Sequence, residues 1–202
     1  SNEIEESMQQ SILKKMSASC NRMEHLVKHL LRITDLEHCD LDAKNSVDIH
    51  RIIEDVSYQV ISIYPDVRIE HLRKEGETRA WIDSDLIELV LTNLFKNSVK
   101  YSRKEKVIEV KVDTVDDNVY ICIQDRGIGI PEKDLEKIFD RFYTVDKAHC
   151  RKLGGAGLGL SIVRLIVEKH GGKIHATSEL GLSTTMHLYL PKAAEVNEVA
   201  LK

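Results

Sequence analysis

The sequence predicts an α+β fold, a two-layer sandwich of a mixed sheet with helices packed on one face, preceded by a long bundle-forming helix. Three observations predict it. Apolar residues keep a heptad period from Ile12 to Ile33. Short segments of alternating polarity recur through the middle and end of the chain, two of them joined by a hairpin turn. Helical segments opened by capping residues are interleaved with those strands.

In order along the chain, Ile12, Met16, Ser19, Met23, Leu26, Leu30 and Ile33 form an a/d seam, and Leu13, Cys20 and Val27 widen its apolar face. One helix cannot bury such a face alone, so residues 1–38 are expected to enter a helical bundle and to dimerise through residues 8–37. Residues 39–47, with Asp40, Asp42 and Asn45, read as a linker. The second unit covers residues 48–191. Asp48 caps a helix from Ile49 to about Ile63, stopped by Pro65, and strands follow at Val67–Leu72 and Arg79–Ile82. Asp83 or Ser84 caps a longer helix to about Ser102. Strands at Val107–Val112 and Val119–Gln124 alternate, with Val119, Ile121 and Ile123 on one face, and join through Asp116-Asp117-Asn118. A last helix runs from about Gly157 to His170, closed by Gly171-Gly172, and strands at Lys173–Ser178 and Thr184–Leu190 finish the fold. Residues 192–202 read as a frayed tail.

Composition narrows the function classes. The chain has 202 residues, 42% hydrophobic and 31% charged, the balance of a soluble globular protein. No apolar run approaches the ~18 residues of a membrane span. A formal charge of −4 gives no overall basic field, which disfavours nucleic acid as a partner. The four cysteines form no C-x-x-C pair, as expected of a reduced cytosolic protein without a disulfide framework or structural zinc.

Three segments carry chemistry. At about 100° per residue, Asn93, Asn97, Lys100 and Tyr101 share a stripe beside the apolar stripe of Ile87, Leu91 and Leu94. Two amides bordering a core need partners, either a local polar network or a hard cation such as Mg²⁺, which takes oxygen donors and brings phosphate with it. Asp125 begins Asp125-Arg126-Gly127-Ile128-Gly129-Ile130. A carboxylate at a strand end can accept from a purine amine while bare backbone approaches the ring, though alone so short a motif reads first as a plain turn. Gly154-Gly155-Ala156-Gly157-Leu158-Gly159 leads into a helix, whose free N–H groups and dipole suit phosphate. Its G-x-G-x-G spacing matches neither the dinucleotide fingerprint nor the P-loop. The preceding Tyr143–Lys152 stretch suits a lid over nucleotide, or an ordinary surface loop.

Taken in order, Asn93–Tyr101, Asp125–Ile130, Ile138–Tyr143 and Gly155–Leu160 resemble the N, G1, F and G2 boxes of sensor histidine kinases. The resemblance covers most of the chain. Residues 48–191 look like the GHKL-type ATP-binding domain, and residues 8–37 like the second helix of the dimerisation and phosphotransfer hairpin. The resemblance implies ATP and Mg²⁺, with Asn97 as metal ligand, Asn93 supporting the phosphate and metal shell, and Lys100 facing phosphate. It puts Tyr101 beside the adenine, Asp125 on its amine, and Gly127 and Gly129 close to the ring. Gly155, Gly157, Leu158 and Gly159 would wrap the phosphates, Ile130 and Thr185 would complete the pocket, and Phe139 and Phe142 would anchor the lid. The implied partners are a second copy, through the N-terminal helix, and a response-regulator receiver domain, with no membrane contact by these residues. Two departures stand out: Thr144 where many relatives carry arginine, and Ser183 in place of a common glycine.

The family's acceptor histidine is followed by Asp or Glu, which takes the imidazole proton. None of the nine histidines here precedes an acid. His25 and His29 lie off the seam, and zinc at that pair would lack evident further ligands. The chain is therefore expected to begin after the acceptor helix. A non-catalytic dimer scaffold, a GHKL ATPase and a serine-type kinase stay as alternatives.

Overall fold

The computed structural model describes residues 43–73, 78–145 and 157–194 together with separate positions between 12 and 41. The described positions between 12 and 37 are all helical. Among these positions Ile12, Leu13, Met16, Met23, Val27 and Leu31 are exposed, whereas Ile33 and Leu36 are buried in the main core. Ser19, Leu26, Leu30, His25 and His29 lie outside the described residues. Glu37 is tied to the rest of the chain: Arg141 pairs with its carboxylate, and Lys169 Nζ donates to its carbonyl at 3.3 Å.

Strand β1 (Asn45–Asp48) leads into α1 (Ile49–Ile63), followed by β2 (Val67–Leu72) and β3 (Arg79–Ile82). Then come α2 (Ser84–Tyr101), β4 (Lys106–Val115), β5 (Asn118–Asp125), α3 (Gly159–Lys169), β6 (Lys173–Glu179) and β7 (Ser183–Pro191). The main sheet has the order β2-β4-β5-β7-β6; β2 runs parallel to β4 and the other pairs are antiparallel. Strands β1 and β3 form a separate antiparallel ribbon. The linker reading therefore fails over Asn45–Val47, which pair with Ala80–Ile82. The expected tail also starts later than residue 192: Lys192 N–H donates to Asp117 O and Ala193 N–H to Arg79 O, both at 2.9 Å, and Ala193 is buried.

The expected caps form. The Asp48 carboxylate accepts from His50 N–H at 3.0 Å, and Asp83 accepts from Asp85 N–H and Leu86 N–H at 3.0 and 3.1 Å. The β4–β5 hairpin closes over Asp116 and Asp117, with Val115 opposite Asn118 and Asp116 at φ 51°. Alternation on β5 buries Val119, Ile121 and Ile123 against one layer of helices, supplied by Ile53 and Val56 of α1, Leu91 and Phe95 of α2, and Ile162 and Ile166 of α3. Burying that layer is the main stabilising term of the fold. No helix among the described residues is long and apolar enough to cross a membrane.

One polar group inside this layer fixes how α3 meets α2. His170 is 2% exposed; its Nδ1–H donates to Ile166 O at 2.7 Å, and its Nε2 accepts from Asp83 N–H at 3.0 Å. A carbonyl only accepts and an amide N–H only donates, so the ring must be neutral with the proton on Nδ1. Burial holds its pKa below the ordinary 6.5. With the folded pKa depressed, this group's stabilisation is complete above pH 6.5 and is lost as pH falls toward the folded value. In thermal unfolding, His170→Gln is expected to cost about 2 kcal/mol at pH 7.5 and to lose less stability than the unsubstituted chain on going to pH 5.5. Equal losses in the two proteins would contradict this role.

Candidate nucleotide site

The site is built at one end of the sheet, between the edge of α2, the loop after β5 and the start of α3. Helix α2 buries Leu91, Leu94, Phe95 and Ser98, which leaves Asn93, Asn97, Lys100 and Tyr101 half-buried along the neighbouring stripe. Asn93 Nδ2 donates to Leu89 O at 2.9 Å, so its Oδ1 is left for other partners. That oxygen faces the first residue of α3: a Cβ on Gly159 would lie 3.1 Å from it. The Asn97 amide makes no hydrogen bond to another described residue. Lys100 Nζ sits 5.2 Å from the centre of the Tyr101 ring.

Asp125 ends β5 on the helix-lined face and is 7% exposed. Its Oδ1 accepts from Gly127 N–H at 2.9 Å. The Ser98 hydroxyl and the Thr184 N–H also favour the ionised carboxylate, yet burial outweighs them and pushes its pKa up to about 6. Ser98 and Thr184 were missed at the sequence level. Ser98 falls three, four and seven residues after Phe95, Leu94 and Leu91. A hydroxyl in an apolar stripe was the available signal.

The loop after Asp125 is clasped from both sides. Ile128 N–H donates to Tyr101 O at 3.1 Å, and Ile128 O accepts from Gly181 N–H in the β6–β7 turn at 2.7 Å. Gly129 has φ +69°, and a Cβ there would lie 2.3 Å from Glu179 O. The need for glycine at this position comes from the chain's own backbone, in addition to any ligand. Ile130 is half-buried against the core, and its N–H donates to Ser178 Oγ at 2.8 Å.

Helix α3 begins without a side-chain cap, because its N-cap residue, Leu158, is apolar and 1% exposed. The first N–H groups of an 11-residue helix are then left without a side-chain acceptor, the arrangement that attracts anions. Gly157 has φ +70°, and a Cβ there would lie 2.7 Å from Tyr143 O. Its carbonyl accepts from Phe142 N–H at 2.9 Å, so Phe142 and Gly157 meet across the segment between them. Gly155 and residues 146–156 as a whole lie outside the described residues. Gly157→Ala is expected to lower nucleotide affinity by roughly tenfold or more, since left-handed backbone and a backbone clash are both penalised. Titration by calorimetry checks this, and unchanged affinity would contradict it.

One sequence expectation needs correction. Thr185 stands in register with Gln124 and Thr177, on the sheet face away from the helices. Its neighbour Thr184, buried and opposite Asp125, occupies the place assigned to it. The cause is the period-2 alternation of a strand, where one residue reverses the face. Phe142 is 55% exposed with φ 63°, while Phe139 is 7% exposed and packs in the core; the lid that both are expected to anchor lies outside the described residues. Tyr143 adds the polar tie at the base of the loop, its hydroxyl donating to the buried Asp134 carboxylate at 2.7 Å.

Among the described residues no group of three or more His, Cys, Asp or Glu side chains is placed to hold a metal. A cation at this site would draw on amide oxygen and on phosphate, and the Asn97 amide, which has no hydrogen-bond partner among the described residues, suits a hard ion in that role.

Together the fold and the site define an α+β sandwich in which the Asn93 edge of one helix faces the uncapped N-terminus of a second. Residues 82–194 match the family described as histidine kinase-, DNA gyrase B- and HSP90-like ATPase, and the chain belongs to this family. It is 37% identical over 179 residues to the sensor histidine kinase WalK of Bacillus subtilis, covering 86% of this chain and 29% of that protein. It is 39% identical over 173 residues to the sensor protein kinase WalK of Staphylococcus epidermidis, covering 84% and 28%. The chain thus spans less than a third of the length of these relatives. Among solved structures it resembles the mycobacterial sensor histidine kinase MprB, with TM-score 0.62 and 26% identity, covering 73% of this chain and 97% of that one. Full-length ShkA, solved in complex with AMPPNP, superposes with TM-score 0.74 over 92% of this chain and 40% of its own, and at 23% identity this likeness concerns the fold alone.

Proposed function

We propose that the chain is the ATP-binding catalytic part of a two-component sensor histidine kinase, which passes the γ-phosphoryl of Mg²⁺-ATP to a histidine on a helical hairpin. The phosphoryl group then goes to the receiver domain of a response regulator. The observation that carries this reading is the Asn93–Asn97 edge of α2 set against the uncapped start of α3. The kinship with proteins named as sensor histidine kinases supports the choice of acceptor.

In this reading Asp125 accepts from the adenine amine and Tyr101 flanks the ring. The N–H groups of Gly157, Leu158 and Gly159 hold phosphate oxygens, joined by Lys100 and by Gly155. Asn97 would hold the Mg²⁺, with Asn93 supporting the same shell, and the ion supplies charge neutralisation on the phosphates. An acceptor imidazole nitrogen attacks the γ-phosphorus, the bond to the bridging oxygen breaks, and ADP leaves. The chain's own contribution is positioning and charge compensation. Exposed Ile12, Leu13, Met16, Met23, Val27 and Leu31 support burial of the N-terminal helix against a second copy.

The test is incubation with γ-labelled Mg²⁺-ATP and a separate dimeric hairpin bearing a histidine followed by an acid. Acid-labile label on the hairpin is the expected result. Free phosphate without protein label would favour an ATPase, acid-stable label a hydroxyl-directed kinase, and binding without either a scaffold.

A further inference from the structure

Ser178 lies on β6 opposite Thr184, and Thr184 lies opposite Asp125. Side chains opposite one another across antiparallel strands share a face, so the three form one row on the helix-lined side at the same end of the sheet. The Ser178 hydroxyl accepts from Ile130 N–H at 2.8 Å, donates to Ser183 O at 2.6 Å and lies 3.2 Å from Thr184 Oγ1. A hydroxyl offers one donor and two acceptor sites. With Thr184 Oγ1 donating, all three are taken.

The partners are what make this hydroxyl more than a local tie. Ile130 closes the loop that begins at Asp125, Ser183 opens β7, and the buried Thr184 stands directly opposite Asp125 across β5 and β7. The middle of the loop is held by backbone bonds, Ile128 N–H to Tyr101 O and Gly181 N–H to Ile128 O. At its far end the tie runs through a side chain. Without it, a part-buried Ile130 N–H and the Ser183 carbonyl both lose a partner, and the loop is free to shift against the β6–β7 turn.

We propose that Ser178 is a positioning residue for adenine recognition: its hydroxyl fixes the Asp125–Ile130 loop and Thr184 in the spacing that leaves the Asp125 carboxylate open to the purine amine. This rests on the nucleotide reading above. Ser178 touches neither the phosphates nor the reacting atoms in that reading, so its influence is confined to the base.

Calorimetric titration of ADP and GDP into the unsubstituted chain, Ser178→Ala and Ser178→Thr tests this, with label transfer to the supplied hairpin followed in parallel. For S178A the expected result is roughly tenfold weaker ADP binding with GDP binding unchanged, a raised KM for ATP and an unchanged kcat at saturation. S178T keeps the hydroxyl and is expected to restore both affinity and ADP-over-GDP preference. Unchanged ADP affinity in S178A, an equal loss for both nucleotides, or a folded S178T that has lost the preference would each overturn the proposal. If S178A fails to fold, the S178T result still decides. Failure of the unsubstituted chain to bind ADP would overturn the nucleotide reading and this inference with it, whereas tight ADP binding that S178A leaves untouched overturns the inference alone.

Discussion

Asn97→Ala is expected to reduce transfer of label to a supplied hairpin by on the order of 10³-fold or more, because it removes the amide oxygen assigned to the metal. The fold should not suffer in proportion. Asn97 is half-buried on α2 with no hydrogen bond to another described residue, so its loss leaves no described partner orphaned. Thermal unfolding of N97A is therefore expected within about 0.5 kcal/mol of the unsubstituted chain. Binding of ADP in the presence of a chelator should also survive, since the adenine contacts sit on β5 and its loop. Measuring transfer, unfolding and metal-free binding on one sample separates a lost ligand from a damaged fold. Transfer at the unsubstituted rate would remove Asn97 from the metal site.

The second large effect concerns the base. Asp125→Asn is expected to weaken ADP binding by about 10- to 100-fold and to erase preference over GDP, the scale of one charge-assisted hydrogen bond in a buried site. Its pH dependence is more diagnostic. Burial pushes the Asp125 carboxyl up to about 6, so the proton it needs to shed for adenine binding is still partly held in weakly acidic buffer. ADP affinity of the unsubstituted chain should therefore fall as pH drops through about 6, and that of D125N should stay flat over the same window. The stability sign is the reverse of a salt-bridged aspartate. A carboxyl raised above its ordinary 3.8 costs the folded state on the order of 2–3 kcal/mol at neutral pH, a cost relieved as pH falls through about 6. Ser98 and Thr184 reduce that cost by favouring the ionised form. A flat ADP profile between pH 7.5 and 5 in the unsubstituted chain would contradict the assignment.

Much of this site is legible in the residues, because it rests on local rules. Asp48 and Asp83 cap their helices, and β2 and β3 begin and end at Val67, Leu72, Arg79 and Ile82, as their flanking residues and alternation predict. The Asp116-Asp117 turn sets the β4–β5 register. What escapes reading depends on partners distant in sequence. Asn45–Asp48 has one apolar residue and becomes a strand only because β3 lies beside it, with Arg79 Nε donating to Ser46 Oγ at 2.9 Å. The parallel pairing of β2 with β4 brings together residues on either side of α2, and periodicity within a strand says nothing about its neighbour. Thr184 and Thr185 are chemically identical, and only the register against β5 decides which one meets Asp125. Ser98 and Ser178 read as unremarkable serines until the fold places them beside a buried carboxylate and a loop amide.

The central claim is that an adenine nucleotide lies between α2, the Asp125 loop and the start of α3. Its most direct test is titration of isotopically labelled chain with Mg²⁺-ADP and, separately, Mg²⁺-GDP, following backbone and asparagine side-chain amide resonances. ADP is expected to saturate and to shift Gly127, Ile130, Gly157, Gly159 and the Asn97 side chain together, with GDP producing only phosphate-end shifts at much higher concentration. Saturable ADP shifts confined to another surface, or none at all, would contradict it.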